Sequence, residues 1–221
     1  MSRRLRTLIV VFLAARGAAA EERWYTYAIG GTPVGHLSEA ASAEDGALRT
    51  DSVLVARLNR LGKSFEMRFA TVARETPAGD LQSLGFESLL SQQAMRLEVR
   101  VAGDEVHIAA AGQERTIPRG PERLLGPAGV ARLTAERLRA AGDAIEFAVF
   151  SPELQRVVRV RRAVAAPGAA GEPPCAAAAG ALAVDETIEG LPVAHRLWVD
   201  AAGAMLADAT DGPFGAMTSC R

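Results

Sequence analysis

Along residues 64–108 apolar and charged side chains trade places at almost every step. Phe65, Met67 and Phe69 alternate with Glu66 and Arg68; beyond the turn at Pro77, Ala78 and Gly79, the residues Met95, Leu97, Val99 and Val101 stand opposite Arg96, Glu98 and Arg100. A period of two belongs to a strand with one dry and one wet face. Val106 and Ile108 flank His107 after a short Ala-Gly-Asp-Glu turn, so the pattern predicts an up-and-down antiparallel sheet and not βαβ units. Similar runs predict strands over 24–27, 34–41, 48–58, 81–90, 144–150, 154–164, 181–189, 193–200 and 205–208, separated by Gly, Pro, Asp and Ser turns. Residues 212–221 show no pattern.

One stretch has a helical period. Pro127 stands where a first helical residue belongs, Val130, Leu133 and Leu138 form a stripe with Ala141, and Gly142 offers a C-cap. The reading is a mainly β protein: a large curved antiparallel sheet, or half-barrel meander, with one amphipathic helix packed across it. Residues 21–221 form a single domain, with an Ala/Gly/Pro-rich loop at 165–180.

The first twenty residues add a compartment. Arg3, Arg4 and Arg6 precede an apolar run at 7–15 and the small residues Ala18, Ala19 and Ala20, the order of an export signal cleaved after Ala20. That run is too short to span a bilayer, so the expectation is an exported, periplasmic or extracellular protein with no transmembrane segment after signal removal. Residues 1–20 hold four arginines and no acid; without them the net charge moves from −1 to −5, which disfavours a nucleic-acid partner. Cys175 and Cys220 would then meet an oxidising environment, either bridged across about 45 residues or as two free thiols.

Candidate chemistry is sparse. The chain has no Gly-x-Ser-x-Gly, Gly-x-Gly-x-x-Gly, P-loop, His-Glu-x-x-His or Cys-x-x-Cys run. Of three histidines, His107 reads as a solvated strand residue, His195 shares parity with Leu197 and Val199 and reads as an inward core histidine, and His36 has no nameable partner. Arg156, Arg159, Arg161 and Arg162 read as a solvated face, with Asp185, Glu186 and Glu189 as cross-strand partners. Phe65, Met67, Phe69, Met95, Leu97 and Val99 are the candidate site: plain core if the helix fits tightly, the lining of a greasy cavity for an acyl chain or other apolar ligand if it gapes. No metal site, cofactor or complete catalytic set is expected.

The segments 24–36 (Trp-Tyr-Thr-Tyr-Ala-Ile-Gly-Gly-Thr-Pro-Val-Gly-His), Arg60-Leu61-Gly62, 150–154 (Phe-Ser-Pro-Glu-Leu) and 186–192 (Glu-Thr-Ile-Glu-Gly-Leu-Pro) resemble the N-terminal accessory region of exported bacterial transglutaminase-like proteins. In that family a Cys-His-Asp catalytic domain follows; neither Cys175 nor Cys220 stands in such a context, so no catalytic residue carries over. The resemblance implies a non-catalytic accessory or binding domain, partnered by a transglutaminase-like catalytic domain. A weaker similarity to periplasmic lipoprotein-carrier-like β domains implies instead a carrier of lipid or another apolar ligand in the concave face.

Overall fold

The computed structural model describes residues 21–60, 62–166, 168–169, 171–193, 195–212 and 215–221. The export signal read at 1–20 and Leu61 of the quoted motif lie outside the described residues. Strands β1 (Glu21–Ile29), β2 (Thr32–Glu44), β3 (Ala47–Arg60), β4 (Lys63–Glu75), β5 (Leu81–Leu90), β6 (Gln93–Ala102), β7 (Glu105–Ala110) and β8 (Gln113–Pro118) form a first meander. Helix α1 (Pro127–Arg137) leads to a second: β9 (Ala144–Ser151), β10 (Arg156–Val164), β11 (Leu182–Ile188), β12 (His195–Val199), β13 (Met205–Gly212) and β14 (Gly215–Cys220). β1 pairs with β14, so the meanders join into one antiparallel sheet running from β8 at one edge to β9 at the other.

That sheet curls until it overlaps itself. The inward residues of β5, β6 and β7, among them Leu84, Phe86, Leu97, Val99 and Ile108, pack with Leu124 and with Ala148 and Phe150 of β9. On the opposite face of β9, Ile145 and Phe147 pack with Val158, Val160, Val184, Leu197 and Val199. β9 is therefore covered on both faces over residues 147–150, and a bridge from Leu124 to Ala148 pairs part of its edge. Leu124 and Leu125 stitch the overlap: Leu81 N donates to the Leu124 carbonyl (2.8 Å) and Leu125 N to that of Ala148 (2.9 Å).

All odd-to-even hairpins turn at one end of the roll, and α1 crosses the other. There Arg132 Nη1 reaches the Pro77 carbonyl at 2.8 Å. Two glycine contacts seat the helix: a Cβ on Gly129 would collide with the Gly79 carbonyl oxygen, and one on Gly203 with that of Ala131. Glu75, fully buried in β4, accepts from the N–H groups of Ala128 (3.0 Å) and Gly129 (2.8 Å), satisfying first-turn donors that have no partner within the helix. Burial raises the Glu75 carboxyl pKa, against the lowering by these two bonds.

Three expectations are corrected. The helix stops at Arg137, before Ala141 and Gly142: the chain turns at Leu138, and Asp143 Oδ2 accepts from the N–H groups of Arg139 (2.8 Å) and Ala140 (2.9 Å). Residues 215–220, which carry no apolar pattern, are a strand because both neighbours, β1 and β13, supply ladders. The loop at 165–180, whose Ala, Gly and Pro content predicts a mobile loop or short linker, is tied down at residues 175–178. Ala178 is buried with Ala183, Trp198 and Ala207 on the outer face of the second meander, and Cys175 is bonded to Cys220, with Cα atoms 6.3 Å apart.

Candidate functional site

Between α1 and the inner face of the sheet lies a cleft of about 700 Å³. Leu84, Leu125, Val130, Phe147, Val160, Leu197 and Met205 form its apolar wall, while Arg23, Glu39, Thr50, Arg162 and Glu186 supply its polar points. The strands place these groups by register alone: Arg23 faces Glu39 across β1 and β2, and Arg162 faces Glu186 across β10 and β11.

The polar points are mostly engaged with one another. Tyr25 Oη lies 3.1 Å from Glu39 Oε2 and 3.0 Å from the Met205 carbonyl. Burial pushes the Glu39 carboxyl pKa up, and the Tyr25 hydrogen bond and the Arg23 charge pull it back. Deeper along the wall, His195 Nδ1 meets Glu186 Oε1 at 3.0 Å and Nε2 meets Asp208 Oδ2 at 3.0 Å. Arg162 Nε donates to Glu186 Oε2 (2.7 Å), its Nη1 donates to Thr134 Oγ1 of α1 (2.8 Å), and its guanidinium lies over the Phe147 ring, 5.6 Å from the centroid.

Two carboxylates on the two ring nitrogens require both to donate, which is the imidazolium form. Burial alone would lower the His195 pKa, but the bonds to Asp208 and Glu186 outweigh it and raise the pKa to about 9. Burial would raise that of Glu186, but His195 and Arg162 hold it at about 2. The quartet is thus two cations and two anions in balance. An imidazolium with both N–H groups committed has no lone pair for base catalysis. The arrangement is suited to bracing the wall of the cleft and tying the helix to the sheet.

The six apolar candidates are not brought together around this cleft. Leu97 and Val99 are 0% and 3% exposed in the overlap layer, where Phe150 and Ala148 fill the space before them; Phe69 packs on the same layer. They also border a second hollow of about 1210 Å³ along β3–β8, whose rim is charged. Phe65 and Met95 are exposed at the hairpin end, with half-buried Met67 beside them. His107 is exposed, with Nδ1 3.1 Å from Thr116 Oγ1, and the His36 ring lies tilted against that of Trp24, 5.2 Å between centroids. Of the four arginines, Arg162 pairs with Glu186, Arg156 with Glu189, Arg161 with Glu146 and Arg159 with Glu122, whereas Asp185 pairs with Arg196. The wall residues Phe147 and Val160 were readable as strand core, but their facing α1 depends on the roll of the sheet, which no local pattern carries.

No protein-family profile and no curated protein sequence matches the chain. Among solved structures it is similar to a crystal structure described as a beta-barrel-like protein of the domain of unknown function DUF1849 from Brucella abortus. The TM-score is 0.61 at 12% identity, over 91% of this chain and 95% of that one. A DUF1089 family protein from Pseudomonas aeruginosa matches with a TM-score of 0.43 at 17% identity, covering 92% of this chain and 95% of the other. The first likeness shows the fold, a barrel-like antiparallel sheet, and the second carries no argument.

Proposed function

We propose that this chain is an exported, non-catalytic binding module that holds an apolar or amphipathic ligand in the cleft beneath α1. The observation that carries the reading is a cleft of about 700 Å³, within the range of small-molecule sites, whose wall is mainly aliphatic and aromatic. Arg162 and Glu186 of its lining are paired with each other, so the cleft offers a ligand apolar contact and the Arg23–Glu39 pair at one point for orientation. The Cys175–Cys220 bridge and the basic-then-apolar N-terminus support a place in an oxidising compartment. In a displacement assay with an environment-sensitive fluorescent fatty acid, the purified protein should bind the probe and release it to unlabelled acyl chains. Val130→Trp, which fills the cleft from the helix side, should abolish binding while the far-ultraviolet circular dichroism stays that of the parent. Absence of probe binding by the parent, or unchanged binding by the variant, rejects the reading.

A further inference from the structure

The two ends of the roll differ in chemistry. Of the exposed large apolar side chains among the described residues, Phe65, Leu90, Met95, Leu191 and Val193 all sit at the end opposite α1; Trp24, on the outer face of β1, is the exception. The turns at the α1 end carry Glu44, Asp45, Asp80, Asp104 and Asp200 instead.

One hairpin stands out at the apolar end. β3 pairs with β2 only as far as Ala56, and β4 pairs with β5 only from Met67 onward, so Arg57–Arg60 and Lys63–Glu66 continue as a two-stranded ribbon beyond both neighbours. Register puts Leu58 opposite Phe65 and Ala56 opposite Met67 on one face, with Leu90 continuing that row across β5. Lys63, at the tip of the same row, is exposed. The arginines around it are paired: Arg57 with Glu66 (3.8 Å), Arg68 with Glu87 (3.9 Å) and Arg96 with Glu98 (3.1 Å). Lys63 has no ion-pair partner among the described residues, on a chain whose balance from residue 21 onward is −5.

An apolar row that is exposed at Phe65 and Leu90 and ends in the cation of Lys63 is complementary to a surface with an anionic rim and a hydrocarbon interior. We propose that the β3–β4 ribbon is a docking surface for anionic phospholipid membranes, with Phe65 and Leu90 entering the headgroup layer and Lys63 meeting its charge. The proposal stands independently of what the cleft holds.

The test is co-sedimentation of purified protein with vesicles of phosphatidylglycerol and phosphatidylcholine, against vesicles of phosphatidylcholine alone, every sample sharing one N-terminus. The protein should pellet with the anionic vesicles, less so as salt rises, and stay in solution with the neutral ones. The double substitution Phe65→Ser with Lys63→Glu should weaken binding by about tenfold or more. Trp24→Ser, far from the ribbon, should leave it unchanged. Both ribbon residues lie beyond the flanking strands, so melting curves of the variants should match the parent and show that lost binding is not lost folding. No association of the parent with anionic vesicles, equal association with neutral ones, or undiminished binding by the double variant overturns the proposal. So does a concentration-dependent dimer dissolved by Phe65→Ser in protein that ignores vesicles, because the patch would then belong to a second copy.

Discussion

His195 joins two strands through its ring, with Nδ1 3.0 Å from Glu186 and Nε2 3.0 Å from Asp208. Its parity with Leu197 and Val199 placed it inward, and an inward histidine needs partners. Glu186 lay among the acids named for the arginine cluster, but Asp208 emerges only when β12 and β13 are paired, since thirteen residues separate it from His195. The consequence is a signed pH dependence. A histidine with a folded pKa near 9 contributes stability that is complete below its unfolded pKa of about 6.5 and is lost as pH rises through 9. Glu186, held at about 2, contributes above about 4.5 and loses that contribution as pH falls toward 2. His195→Gln should cost about 3 kcal/mol at pH 6, because Asp208 loses its cation and buried Glu186 keeps only Arg162. The difference between parent and variant, in which the raised carboxyls of Glu39 and Glu75 cancel, should shrink between pH 6.5 and 9. Urea unfolding at a series of pH values measures it, and a pH-independent difference would contradict the assignment.

Among the elements, α1 shows how little of its stability is its own. It spans eleven residues, its N-cap Gly126 makes no side-chain cap, and its first turn holds no acid. Isolated helices of this length are marginal in water. The missing cap comes from β4: Glu75 does from fifty-odd residues away what an N-cap side chain does locally. Glu75→Ala should therefore lower stability by about 2 kcal/mol through two orphaned N–H groups, read as a lower urea midpoint with an unchanged slope; a midpoint equal to the parent's would show that the carboxylate does not hold the helix. Strands with one buried face, such as β6, were legible from alternation. β9 was legible as a strand, but its double burial was signalled only by the unbroken apolar run at 147–150, a run that parallel sheets and overlaps share. β14 gave no signal because Gly, Ala, Met, Thr and Ser mark neither period; its place is dictated by β1 and β13.

At the scale of the whole molecule, the roll decides what the apolar residues become. In a sheet that overlaps itself, the greasy faces of β5–β7 meet β9 and turn solid, while the space beneath α1, between strands of both meanders, stays hollow. The same six side chains that alternation singles out are thereby divided between a packed layer and an exposed hairpin end, and the open volume falls to residues from helix, loop and nine strands. Alternation specifies which face is dry but not what lies against it, so a curved sheet with one helix was readable and the position of its cavity was not. The central claim is that this hollow takes an apolar ligand. Native mass spectrometry of protein purified without detergent tests it most directly. The account predicts the chain's mass accompanied by adducts of acyl-lipid size that organic extraction removes and Val130→Trp lacks; a bare mass that stays bare after incubation with fatty acids or phospholipids would contradict it.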